Sequence, residues 1–177
     1  SRTKYLEALR DGVGTEGLVG SLASIPTDDA AKAWHRTEQV FTMIRKLADP
    51  RGGDSLLAYI GTKPNIHWAT FAAFAMAEIG DIRAVPTLAM RLRMDEQKIY
   101  SDDTDYEMLV KRNNNERVVA SRMIADLAMM YPDKKDQIRD QAEDAVMFWL
   151  HEMPSPHANG MRALATRCCM PPECRFG

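Results

Sequence analysis

Ile79-Gly80-Asp81-Ile82-Arg83-Ala84-Val85-Pro86-Thr87-Leu88 is a helix stop and a helix start set back to back. Gly80 takes the left-handed conformation that ends a helix at little cost. Asp81 accepts backbone N–H bonds at the start of the next one. Pro86 suits the opening turn of that helix, where its missing N–H costs little.

Working outward, the residues before the turn follow helical period. Trp68, Phe71, Ala72, Ala75, Met76 and Ile79 recur at spacings of three and four, and the positions between are mostly Ala. A helix apolar nearly all round belongs between neighbours and not on a surface. Val85 to Leu92 continues as a second apolar helix.

The same logic stands earlier in the chain. Leu47-Ala48-Asp49 aligns with Ile79-Gly80-Asp81 at an offset of 32 (47 to 79), and Arg51 falls on Arg83. There Pro50, Gly52 and Gly53 supply the punctuation between Phe41–Leu47 and Ser55–Ile60. A third unit runs from Glu116 to Met130, with Val119, Met123, Leu127 and Met130 on one face. Pro132 interrupts it, and Ile138 to Leu150 resumes. Tyr5–Leu9 with Leu18–Ile25 forms a fainter, Gly-broken unit, and His157 to Arg167 a half unit ahead of Pro171-Pro172. The expectation is an all-α protein of stacked antiparallel helix pairs, about four and a half repeats in one domain over 1–170, with a Cys- and Pro-containing tail at 171–177.

These residues resemble the core signature of HEAT repeats, in the subgroup also called phycobilisome-lyase-like. The likeness is carried by Asn65–Leu92 and Ala30–Ile60, whereas Pro132-Asp133 replaces the Gly-Asp turn. The resemblance implies a curved α-solenoid in which Asp49, Arg51, Gly80, Asp81, Arg83 and Pro86 form the turns, and the Asp and Arg link successive repeats. It implies no activity, because such a fold carries many functions.

Composition narrows the classes. A 45% hydrophobic content suits a folded chain, and no apolar run approaches the roughly 20 residues of a membrane span. A net charge of −2 opposes general nucleic-acid binding, which draws on excess Lys and Arg. The short pairs Lys111-Arg112 and Lys134-Lys135 are flanked by acids and suit solvated loops. Cys168, Cys169 and Cys174, odd in number and clustered in a tail, do not make a disulfide framework and suit a reducing, cytoplasmic setting. They lack the second Cys pair of a zinc site.

Catalytic constellations are not legible. Gly12-Val13-Gly14 lacks the Lys of a phosphate loop. A di-iron hydroxylase resembling deoxyhypusine hydroxylase would carry several His-Glu pairs, and this chain has His151-Glu152, with no adjacent carboxylate at His35, His67 or His157. A bilin lyase resembles the chain in its repeats, and Trp34, Trp68, Trp149 and Tyr59 are the aromatic residues that would line a pigment groove, though aromatic residues at helical spacing more often form core. No cofactor or metal is expected.

The function expected is therefore protein–protein interaction over a helical-repeat surface, with another protein as partner. The stretch 95–115 stands out as a long acidic inter-repeat loop with a short helix near Tyr106–Val110. Asp102, Asp103, Asp105 and Glu107 are the candidate contacts for a basic segment of that partner. Twelve methionines mostly suit core filling, and an exposed cluster at Met129-Met130 or Met153 would mark a contact surface.

Overall fold

The structure, a computed structural model, describes residues 2–93 and 106–152, with the side chains of 4–93 and 115–151. All its elements are helical, and no strand occurs among the described residues. No described helix is long and apolar enough to cross a membrane. The chain divides into two compact units, Ser1–Arg83 and Ala84–Gly177, within the stretch that the sequence suggests as one repeat domain.

The first unit holds α1 (Arg2–Gly12), α2 (Gly14–Leu22), α3 (Ala30–Leu47), α4 (Gly53–Gly61) and α5 (Ile66–Glu78). Local chemistry sets their ends. Asp29 caps α3 by accepting from Lys32 N at 3.0 Å, and Arg45 and Lys46 complement the dipole in its last turn. Asn65 caps α5 through His67 N at 2.8 Å. Gly14, at φ 62, turns the chain sharply between α1 and α2.

Packing in this unit follows a pattern of next neighbours. α1 lies on α3, α2 on α4, and α3 on α5, while α2 also meets α3 and α4 meets α5. The contacts between α3 and α5 ascend together: Trp34 meets His67 and Trp68, Phe41 meets Phe71, and Arg45 meets Phe74 and Glu78. Side chains that rise in step on both helices mean that α3 and α5 run parallel, side by side. Phe41, Leu47, Leu56, Ala72 and Met76 make the dry centre. α5 is buried nearly all round, from His67 through Ala77 with Trp68 and Phe71 half-buried, as its Ala-rich pattern predicts.

The second unit holds α6 (Val85–Arg93), α7 (Tyr106–Met130) and α8 (Lys135–Glu152), all three in mutual contact. Its core is Val85, Leu88, Leu92, Ile124, Leu127, Ile138 and Trp149. α7 is longer than the sequence suggests, because it begins at Tyr106 and runs unbroken through Asn113-Asn114-Asn115. The second half of the expected loop 95–115 is therefore helix. Asn disfavours helix interiors only weakly, so three in a row do not end α7. The buried stripe of α7 is Ala120, Met123, Ile124, Leu127 and Ala128, so Val119 is half-buried and Met130 falls off the face the sequence assigns it to.

Three of the connections between successive helices are built in one way. A single 3-10 turn, at Pro50–Gly52, Ile82–Ala84 or Pro132–Lys134, follows the first helix and leads directly into the second.

Candidate functional site

The turn residues are the feature that the structure builds twice. Asp49 Oδ1 accepts from Arg51 N at 3.1 Å and from Arg51 Nε at 2.9 Å, and Arg51 Nη2 reaches Oδ2 at 3.2 Å. Asp81 does the same thirty-two positions later: Oδ1 accepts from Arg83 N at 3.0 Å and Nε at 2.9 Å, and Oδ2 accepts from Nη2 at 2.6 Å. In each, one carboxylate holds the first turn of the 3-10 helix and the guanidinium that leaves it. A bidentate fork of this kind fixes both side chains in one plane.

Each joint also grips the helix pair before it. Arg83 Nη1 donates to Asp54 Oδ1 at 2.7 Å, and Arg51 Nη2 donates to the Arg10 carbonyl at 3.0 Å. The carboxylates lie on the starts of the preceding second helices. Asp49 Oδ2 stands 3.4 Å from the Cβ position of Gly14, and Asp81 Oδ2 closes on that of Gly53, with Arg83 Nη2 at 2.9 Å. The Thr15 side chain stands 2.6 Å from the Cβ position of Gly52. Gly52 and Gly53 are thus required by close approach and not by a turn. The left-handed residue of the first joint is Ala48, at φ 45, in the place of Gly80 at φ 80.

The electrostatics of the two joints agree. The Arg51 guanidinium bonded to Asp49 holds that carboxyl below its ordinary value against the opposing effect of burial. The Arg83 guanidinium does so for Asp81. Arg83 is itself pushed upward by Asp81 first and Asp54 second. Both carboxylates are charged at neutral pH and committed to structure.

The aromatic residues divide between the units. Trp34 stacks on His67 at 4.5 Å and meets Trp68 at 4.4 Å, while Phe41 stacks on Trp68 at 5.9 Å and meets Tyr59 edge-on at 5.6 Å. Burial pushes the Tyr59 hydroxyl up to about 12. Trp149 belongs to α8 and is buried in the second unit. Trp34, Tyr59, Trp68 and Phe71 are half-buried and pack their rings on one another over the buried Phe41.

Of the candidate partner contacts, Asp102, Asp103 and Asp105 lie outside the described residues, as do Met153, His157 and the three cysteines. Glu107 falls within α7, where its side chain is not described. Met129 and Met130, at the end of α7, are 62% and 56% exposed. His151 is exposed in the last turn of α8. No three His, Cys, Asp or Glu side chains converge to hold a metal ion among the described residues. A recess of about 240 Å³ opens beside Asp49, Arg51, Thr15 and Ser55, and another of about 420 Å³ lies at Thr42, Arg45, Lys46 and Glu78. Among the described residues, neither is lined by a histidine or a cysteine.

One polar feature has no sequence signal. Arg91, in the last turn of α6, is fully buried and pairs with Glu116 of α7 at 2.9 Å. Both positions look like ordinary surface charge in the sequence, because their pairing depends on how the two helices meet.

No family model, curated protein or solved structure matches the chain.

Proposed function

We propose that the chain is a HEAT-like α-solenoid and works as a non-catalytic scaffold that binds another protein. The observation that carries this is the Asp-x-Arg joint, built at Asp49–Arg51 and again at Asp81–Arg83, each time reaching back to the preceding helix pair. A joint that refers only to the copy before it can be repeated without closing the structure. Repetition of that kind makes extended surface instead of a pocket, and extended surface suits the recognition of another chain.

The exposed Met129 and Met130 add a second support, since thioether side chains make adaptable contact surfaces. Asp102, Asp103, Asp105 and Glu107 remain the proposed contacts for a basic segment of the partner. A reducing, cytoplasmic setting belongs to the same proposal and rests on the clustered, odd-numbered cysteines. The mutual contacts of Trp34, Trp68 and Phe41 give no support to the pigment-handling alternative.

The test compares partner capture from the source cells by the wild-type chain and by an Asp102→Lys/Asp103→Lys/Asp105→Lys variant. The proposal expects capture to fall on the order of tenfold with the melting temperature unchanged. Equal capture by both chains would remove the acidic residues as contacts. Turnover of a substrate by the purified protein would remove the scaffold itself.

A further inference from the structure

We propose that Met129–Met130 is a peroxide-modification site, where two thioethers each take up an oxygen atom while the fold persists. The inference is independent of the scaffold proposal. It rests on a contrast among the described methionines: Met129 and Met130 are 62% and 56% exposed, Met90 and Met43 less so, and Met76 and Met123 only 0% and 8%.

The two residues close α7, whose buried stripe ends at Leu127 and Ala128. Adjacent positions on a helix point about 100° apart, so exposure of both leaves two sides of the last turn open. The final backbone bond there, Tyr131 N to Leu127 O at 3.0 Å, involves neither side chain.

The chemistry needs one oxidant, a hydroperoxide. A lone pair on Sδ attacks the distal peroxide oxygen, the S–O bond forms as the O–O bond breaks, and hydrogen peroxide leaves as water. Sulfur is oxidised by two electrons and peroxide is reduced by two. The product is a polar sulfoxide, which disrupts a core and is tolerated in solvent, and which reductases of the methionine sulfoxide class reverse. At Met129 and Met130 the new oxygen meets water. At Met76 it would have to enter the packed centre of the first unit.

The full-length folded protein is treated with dilute hydrogen peroxide, quenched at intervals, and followed by peptide mass spectrometry and far-UV circular dichroism. Sulfoxide should form at residues 129 and 130 about tenfold or more faster than at residues 76 and 123, with helicity unchanged at full conversion of the pair. In urea sufficient to unfold the chain the four rates should converge, showing that the fold makes the selectivity. Equal rates in the folded protein, selectivity that survives in urea, or helicity lost in step with conversion of the pair would each overturn the proposal.

Discussion

Arg83 holds Asp54 across twenty-nine positions of the chain: Nη1 donates to Oδ1 at 2.7 Å, while the other edge of the guanidinium stays on Asp81 two residues away. The earlier joint lacks this second carboxylate. Residue 15, which follows Gly14 as Asp54 follows Gly53, is threonine, and Arg51 turns to the Arg10 carbonyl instead. The later joint is therefore the more strongly charged of two copies of one device. Its Asp54 partner is largely exposed, so solvent screening leaves that contact little weight in stability.

The close approach of Asp81 and Arg83 to Gly53 is open to direct substitution. Gly53 has ordinary helical angles, φ −57 and ψ −44, so alanine meets no backbone strain there. Its Cβ would strike Asp81 Oδ2 and Arg83 Nη2. Gly53→Ala should destabilise by about 1–3 kcal/mol, the cost of overpacking. Gly20→Ala, in α2 with nothing within 4 Å of its Cβ position, should stabilise by about 0.5–1 kcal/mol. Urea unfolding of the two variants checks the opposite signs.

Ala48 carries a cost that Gly80 avoids. An alanine at φ 45 brings its Cβ against the backbone, at about 1 kcal/mol. Ala48→Gly should recover much of that, less the extra entropy glycine brings to the unfolded chain, for a net gain of about 0.5 kcal/mol. Chemical denaturation measures it, with Gly80→Ala expected to lose a comparable or larger amount.

Acid should act through the joints. The folded pKa values of Asp49 and Asp81 lie below the ordinary carboxylate value because each accepts from its arginine. Their contribution is present above about pH 4 and fades as pH falls through the lowered values. The wild-type chain should therefore lose more stability between about pH 4 and pH 2 than an Asp49→Asn/Asp81→Asn variant. Parallel acid dependence in both proteins would contradict the assignment of these shifts.

The buried pair in the second unit makes a sharper demand. Glu116→Gln removes the carboxylate charge that the fully buried Arg91 meets at 2.9 Å and should destabilise the fold by about 3 kcal/mol. The double variant Arg91→Met/Glu116→Leu should lose less than the sum of the single changes, since it removes both charges together.

The joints are legible in the sequence because their chemistry is local. Asp and Arg recur at an offset of 32, from Asp49 to Asp81 and from Arg51 to Arg83, and with the Gly and Pro near them state what the backbone does within a few residues. The burial of α5 is legible for the same reason, since an Ala-rich helix with no polar face has one place to go. What escapes is whatever needs a second element. The triple asparagine at 113–115 suggests a loop, yet α7 runs through it, and Arg91 with Glu116 resembles surface charge until α6 meets α7. Ala48 escapes because no residue type announces a left-handed alanine. The acidic contacts at 102–105 lie outside the described residues, so the candidate partner site was legible only as composition.

The central proposal is that helix pairs advance by translation, and spacing between equivalent second helices tests it most directly. Gly20 on α2, Ala58 on α4 and Met90 on α6 are exposed and lie within one residue of the same place in their helices. Cysteines placed there two at a time, with Cys168, Cys169 and Cys174 replaced by serine, would carry spin labels for electron-resonance distance measurement. Stacked repeats predict a step of about 10 Å between neighbouring helices and a separation between positions 20 and 90 close to twice the separation between 20 and 58. A distance from 20 to 90 no greater than the single step would mean that the helices close on themselves, and the solenoid would be wrong.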